Sequence, residues 1–171
     1  RRVASGELGR PLAVSTLRLS PPPDWNQWMA DRAQSGGTAV DLMIHDFDQM
    51  NWLLGQPRSV YASEPAPGHV QALVEYGGAA GVAEGSMRFS AAPAEGGGNI
   101  GAAQSPPGLW LYPEGGEPQL VEVASADPWG PEIEEFVSCL EEGRLPEQGT
   151  GEQARLALAV SLAANRSLAS G

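Results

Sequence analysis

Hydrophobic positions recur along the chain in two rhythms, alternation and helical spacing, and each predicts its own elements. Residues 12–19, Leu-Ala-Val-Ser-Thr-Leu-Arg-Leu, are aliphatic and β-branched and predict a strand that Pro21-Pro22-Pro23 stops. From Thr38 to Leu54 no Gly or Pro interrupts the chain, and Met43, Phe47, Met50 and Leu54 share one apolar face. Gly55 and Pro57 then supply a stop, so the spacing predicts a helix over 38–54. Residues 58–64, 70–77 and 79–90 predict strands, with Gly77-Gly78 as the hairpin turn between the last two. Short strands are expected near 109–113 and 119–123, whereas 91–108 is too rich in Gly, Ala and Pro to assign.

Two helices close the chain. Pro131 suits the first turn of one, in which Ile133, Phe136, Val137 and Leu140 recur at the i, i+3, i+4, i+7 spacing of a buried face and Gly143 provides the end. Thr150 begins the other, with Gln153 at capping-box spacing and Leu156, Val160 and Ala163 or Ala164 as its apolar stripe. The middle strands follow one another without the helices that parallel crossovers need. The class is therefore α+β, an open, mostly antiparallel β-sheet with helices packed on one face. The other face must be wet or paired. Val70, Ala72, Val74 and Tyr76 alternate with Gln71, Leu73 and Glu75, so neither face is clearly polar, and a homo-oligomer through the open face is expected.

A length of 171 residues is enough for one domain with a core. The net charge of −11 repels phosphate backbones and anionic membrane surfaces, so neither nucleic acid nor a membrane is an expected partner. No apolar run approaches a membrane span, and the N-terminus lacks the apolar core of a signal peptide and reads as a cut inside a larger gene product. All ten basic residues are Arg, so lysine chemistry must come from elsewhere. The single cysteine, Cys139, cannot form an internal disulfide and fits a cytoplasmic protein.

Candidate chemistry concentrates in Asp41-Leu42-Met43-Ile44-His45-Asp46-Phe47-Asp48. On a helix Asp41, His45 and Asp48 share a face at i, i+4, i+7, while Asp46 points away. A His beside a carboxylate suits proton transfer, the carboxylate orienting the imidazole while its other nitrogen meets a substrate. Gly36 and Gly37 upstream would let a substrate come close to the helix start, and Trp28 lies in the loop just before them. The same residues are compatible with a solvated acidic helix face carrying an incidental His. They also include possible metal ligands, Asp41, His45, Asp46 and Asp48, but in no established metal signature, so no metal is assigned. Gly96-Gly97-Gly98-Asn99-Ile100-Gly101 satisfies G-x-G-x-x-G only formally, because Pro106 and Pro107 follow too soon for the helix that would hold a pyrophosphate. His69 is most simply a surface residue.

The run from Ser35-Gly36-Gly37 through Asp41, His45 and Asp48, continuing by Trp52-Leu53-Leu54-Gly55-Gln56-Pro57 to Val60-Tyr61-Ala62, closely resembles the central motif of the glucose-fructose oxidoreductase, inositol dehydrogenase and rhizopine-catabolism (Gfo/Idh/MocA) family. Ser5-Gly6-Glu7-Leu8-Gly9-Arg10-Pro11 is similar to that family's lead into its first C-terminal strand. Residues 131–143, 150–154 and 167–171 resemble its closing helices, and the likeness is weakest over 91–125. The resemblance implies a single C-terminal substrate-binding and oligomerisation domain over residues 1–171, of the dihydrodipicolinate-reductase-like fold. An N-terminal Rossmann domain binding NAD or NADP would be missing from this chain.

By the same resemblance Asp41 and His45 map onto the catalytic Asp and His, the His exchanging a proton with a substrate hydroxyl as hydride moves to or from the nicotinamide. Asp48 maps onto a further acidic position, assigned with Gly36, Gly37 and Trp28 to substrate binding. The family's lysine sits in a Glu-Lys-Pro motif of the nucleotide-binding domain, and this chain has no Lys. The expected activity is thus that of an NAD(P)-dependent oxidoreductase on a hydroxyl or carbonyl of a sugar, cyclitol or related polyol, with this domain inactive alone. A non-catalytic binding or assembly module of the same fold and a metal-dependent hydrolase are the rival readings.

Overall fold

The structure is a computed structural model that describes residues 3, 5–21, 27–88, 109–111, 117–121 and 129–170. The chain divides into two compact units, Arg1–Ala94 with Gly149–Gly171, and Glu95–Gln148.

In the first unit, strand β1 (Ala13–Leu19) leads to helices α1 (Gln27–Ala30), α2 (Arg32–Ser35), α3 (Thr38–Asp41) and α4 (Ile44–Leu54). Strands β2 (Pro57–Ala66), β3 (His69–Tyr76) and β4 (Ala79–Ser86) follow as a meander. The four-stranded sheet has the order β1-β4-β3-β2, antiparallel in its β2–β3 and β3–β4 pairs and parallel between β1 and β4. It is therefore open and mixed, mostly antiparallel as expected. The parallel pair is possible because the helices and two further strands intervene between β1 and β4.

The predicted hairpin turn at Gly77-Gly78 is present, and Gly78 takes the left-handed φ of +99° that favours glycine. Alternation in β3 translates directly into burial: Val70, Ala72, Val74 and Tyr76 are buried, and Gln71, Leu73 and Glu75 are exposed. The third predicted strand stops at Ser86 rather than running to 90.

Helix α4 lays Phe47 and Met50 on the sheet beside Met43, its N-cap residue, and all three are completely buried. The close approach depends on two glycines of β4. A Cβ at Gly81 would stand 2.6 Å from Met50 Sδ, and one at Gly85 would overlap Met43 Cγ. The last helix of the chain, α6 (Gly151–Ser170), adds Val160 and Ala164 to the same core and buries Ala157 beside them. Its start is the predicted capping box: Gln153 N–H donates to Thr150 Oγ1 at 3.2 Å, and Thr150 N–H to Gln153 Oε1 at 3.0 Å. Near its end Ser167 Oγ accepts from Ala62 N–H at 2.9 Å, which covers part of the edge of β2.

The single helix predicted over 38–54 is in fact two, with a turn at Leu42–Met43. Thr38 O accepts from both Leu42 N–H at 3.1 Å and Met43 N–H at 3.0 Å, and the second bond spans five residues instead of four. The ladder then restarts from Met43 O, which accepts from Asp46 and Phe47. Tertiary anchors hold the two pieces separately. Thr38 Oγ1 donates to Gly68 O at the β2–β3 turn, and Asp46 is tied to β1.

In the second unit, β5 (Leu109–Leu111) and β6 (Gln119–Val121) form an antiparallel pair, shorter than the strands expected over 109–113 and 119–123. Helix α5 (Trp129–Glu142) carries Pro131 in its first turn and ends at Gly143, where Arg144 N–H returns to Cys139 O at 3.0 Å in a Schellman arrangement. Its predicted buried stripe is exposed: Ile133 by 62%, Phe136 by 64% and Leu140 by 67%. Cys139 is buried instead, and burial followed by its bond to Glu135 pushes the thiol up, so it is an inert packing group. The expected glycine-rich decoy at 96–101 lies outside the described residues.

Two measurements test this packing. Gly85→Ala should destabilise the protein by about 1–3 kcal/mol, because the methyl displaces a fully packed Met43, and urea unfolding checks it. Buried Tyr76 donates to Asn51 Oδ1 at 2.9 Å, and burial pushes its phenol up to about 12 from an ordinary 10.0. The folded state thus holds the neutral phenol, so this contribution is complete below the ordinary value and is lost as pH rises from about 10 toward 12. Tyr76→Phe should flatten the fall in urea midpoint over that window.

Candidate active site

The approach to the site is built from a glycine link. Asp31 caps α2, its carboxylate accepting from Ala33 N–H at 2.9 Å, and its bonds to Gln34 and then Ala33 hold the carboxyl below the usual carboxylate range. Gly36 ends α2 with φ +80° and Gly37 begins α3 with φ +73°, a pair of left-handed positions that a side chain would strain. A Cβ on Gly36 would also meet Val40 Cβ at 2.8 Å. Asn165 of α6 donates to Gly36 O at 2.7 Å, and Ser35 Oγ accepts from Gly37 N–H at 3.0 Å. The link is thus both tightly turned and tied down.

Asp41 is the last residue of α3 and half-buried, while His45 and Asp48 are exposed on α4. The break at Leu42–Met43 means that Asp41 does not share an unbroken helix face with the other two, which corrects the i, i+4, i+7 expectation. Among the described residues no hydrogen bond or ion pair links Asp41, His45 and Asp48, and the His45 imidazole has no partner. Trp28 sits on α1 rather than in a loop and is 44% exposed, and Trp25 lies outside the described residues.

Asp46 behaves differently from its neighbours. Its side chain is 5% exposed and takes Arg18 Nε at 2.8 Å and Arg18 Nη2 at 3.2 Å. Removing one partner of a buried pair costs about 3–5 kcal/mol, with the lower end fitting an Arg18 that is 37% exposed. Among the described residues no group of three or more His, Cys, Asp or Glu side chains is placed to hold a metal ion.

A cavity of about 800 Å³ opens beside the glycine link, lined by Met29, Arg32, Gly37, Thr38, Glu64 and Arg88 among others. Of the expected substrate-binding residues, Gly37 lines it and Gly36, Trp28 and Asp48 do not. Across it Arg32 Nη1 meets Glu64 Oε2 at 2.7 Å, and Arg88 Nη1 donates to Pro67 O at 3.0 Å. Sequence reasoning passed over Arg18, Arg32, Glu64 and Asn165. Each is an ordinary polar residue far in sequence from the partner that gives it a role.

A model of the GFO/IDH/MocA C-terminal domain matches residues 1–97, more than half of the chain. The chain belongs to the Gfo/Idh/MocA family. It is 27% identical over 178 residues to the rhizopine catabolism protein MocA of Rhizobium meliloti, covering 97% of this chain and 53% of that protein. A shorter match, 44% over 61 residues, links 32% of the chain to 16% of the myo-inositol dehydrogenase Hyg17 of Streptomyces leeuwenhoekii. The chain thus spans about half the length of the MocA protein, and much less of Hyg17 in the aligned stretch.

Solved dehydrogenase and oxidoreductase structures align with 99% of this chain. The aldose-aldose oxidoreductase of Caulobacter crescentus, crystallised with glycerol, aligns at TM-score 0.77 with 22% identity over 57% of its length. The WlbA dehydrogenase of Bordetella pertussis, in complex with NADH and UDP-GlcNAcA, aligns at 0.68 with 22% identity over 56% of its length. Among the described residues no helix is long and apolar enough to cross a membrane.

Proposed function

We propose that this chain is the substrate-binding and proton-transfer domain of an NAD(P)-dependent oxidoreductase acting on a hydroxyl, or the corresponding carbonyl, of a sugar, cyclitol or related polyol. The observation that carries the reading is an exposed His45 at the start of α4 that has no hydrogen-bond partner among the described residues, in a chain of this family. An uncommitted imidazole on a packed helix can take a proton from a hydroxyl or return one to a carbonyl oxygen. Asp41 and Asp48, four residues before and three residues after it in the sequence, carry carboxylates that can accept hydrogen bonds from a polyol. The names of the relatives, an inositol dehydrogenase and an aldose-aldose oxidoreductase, support the same substrate class.

The described residues do not by themselves fit the dinucleotide. No described strand passes through a glycine-rich turn into a helix start, the unit that holds a pyrophosphate. The chain also has no Lys. In this reading a nucleotide-binding domain outside the chain holds NAD or NADP, which supplies the hydride acceptor or donor, together with the lysine. The domain alone is then inactive, and the cytoplasm is the proposed compartment.

The open face of the sheet supports assembly as a homo-oligomer. Tyr61, Leu73 and Val82 lie in register across β2, β3 and β4 and are 63%, 40% and 46% exposed. Polar pairs surround them, Ser59 with Glu75 at 2.5 Å and His69 with Glu84 at 3.2 Å. An apolar centre with a polar rim is the anatomy of a protein interface, and a second copy of the same face is self-complementary.

In the protein joined to its nucleotide-binding domain, His45→Ala should lower turnover by about 10²- to 10⁴-fold with an unchanged melting temperature, because the side chain is exposed. Unchanged turnover would refute the acid–base role and favour an assembly module. Leu73→Glu should shift sedimentation toward the monomer, and a wild-type protein that is monomeric at high concentration would contradict the interface.

A further inference from the structure

Asp46 is the one buried charged side chain among the described residues, and it directly follows His45. We propose that Arg18 and Asp46 are positioning residues: their two-point contact sets the rotation of the first turn of α4 and thereby where His45 stands. The inference rests on the reading of His45 as the proton-transfer group.

The need for such a contact follows from the break before α4. The widened turn at Leu42–Met43 interrupts the regular ladder, so α3 does not carry the first turn of α4 rigidly. What orients that turn is lateral. Met43 and Phe47 bury it, but apolar burial is non-directional and a methionine side chain adapts to several arrangements. Arg18 supplies direction. Its guanidinium meets the Asp46 carboxylate through Nε at 2.8 Å and Nη2 at 3.2 Å, fixing an angle as well as a distance.

The contact also acts at the right level of the sheet. Arg18 pairs in register with Gly85, the residue whose missing side chain admits Met43, so core and ion pair grip the same turn. Replacing a buried ion pair by apolar residues is often neutral or stabilising, so stability alone does not call for one here. Orientation is what the pair adds beyond stability.

The test uses Arg18→Lys, which keeps the charge and loses the fork, Asp46→Asn, and the double variant Arg18→Met/Asp46→Leu. The double variant replaces the pair by apolar residues and serves if a single variant does not fold. His45 and His69 are the two histidines of the chain, so their ring signals are separable by NMR. In folded variants the ring contacts of His45 should change while those of His69 stay. In the protein with its nucleotide-binding domain, kcat should fall about 10- to 100-fold with KM for the polyol unchanged, the signature of misplacement. Folded variants with wild-type His45 contacts and wild-type kcat overturn the positioning role, even where His45→Ala abolishes turnover. A harmless His45→Ala overturns the proton-transfer reading itself, independently of the ring contacts.

Discussion

The first unit depends on how closely α4 lies on β4. Strand glycines are ordinarily a weakness, since they add conformational freedom to the unfolded chain and no side chain to the core. Here Gly81 and Gly85 are the hollows into which Met50 and Met43 fit, and no larger residue leaves room for them. With that approach made, Phe47 between the two methionines is fully buried and α6 closes over the remaining surface with small residues, Ala157, Val160 and Ala164. A bulkier α6 stripe would push α4 away from the sheet.

The same geometry makes a site possible next to a core. A helix pressed on a sheet along one stripe must turn its opposite side to solvent, and His45 and Asp48 stand there. Asp46 lies between the two surfaces and is buried only because Arg18 reaches it from β1. Upstream, the glycine link is tied by Asn165 to α6, and Thr38 to the β2–β3 turn, so the backbone leading into the site is held from several directions. The interactions that shape the site are thus mostly long-range in sequence, whereas those that make its helices are local.

That division explains what was legible beforehand. The capping box of Thr150 and Gln153, the Gly77-Gly78 hairpin and the alternation of β3 were readable because each is a local rule satisfied within a few residues. The apolar spacing of Met43, Phe47 and Met50 was readable for the same reason, and so was the family resemblance of the Ser35–Asp48 segment. The break at Leu42–Met43 was not, since no Gly or Pro marks it and the Thr38–Gly68 and Arg18–Asp46 contacts hold its two sides. The α5 stripe shows the converse: its helical period was right, but a period predicts a face, not the presence of something to cover it.

The sequence by itself therefore determined the main strands and the longer helices, the α+β class and the family, because periodicity and capping act over one or two turns. Only the tertiary structure decided that β1 runs parallel to β4, that Asp41 and His45 stand on separate helices, and that Asp46 is a buried partner of Arg18. Those outcomes depend on packing and charge pairing between segments tens of residues apart, and the free energy of such contacts exists only once the chain has brought them together.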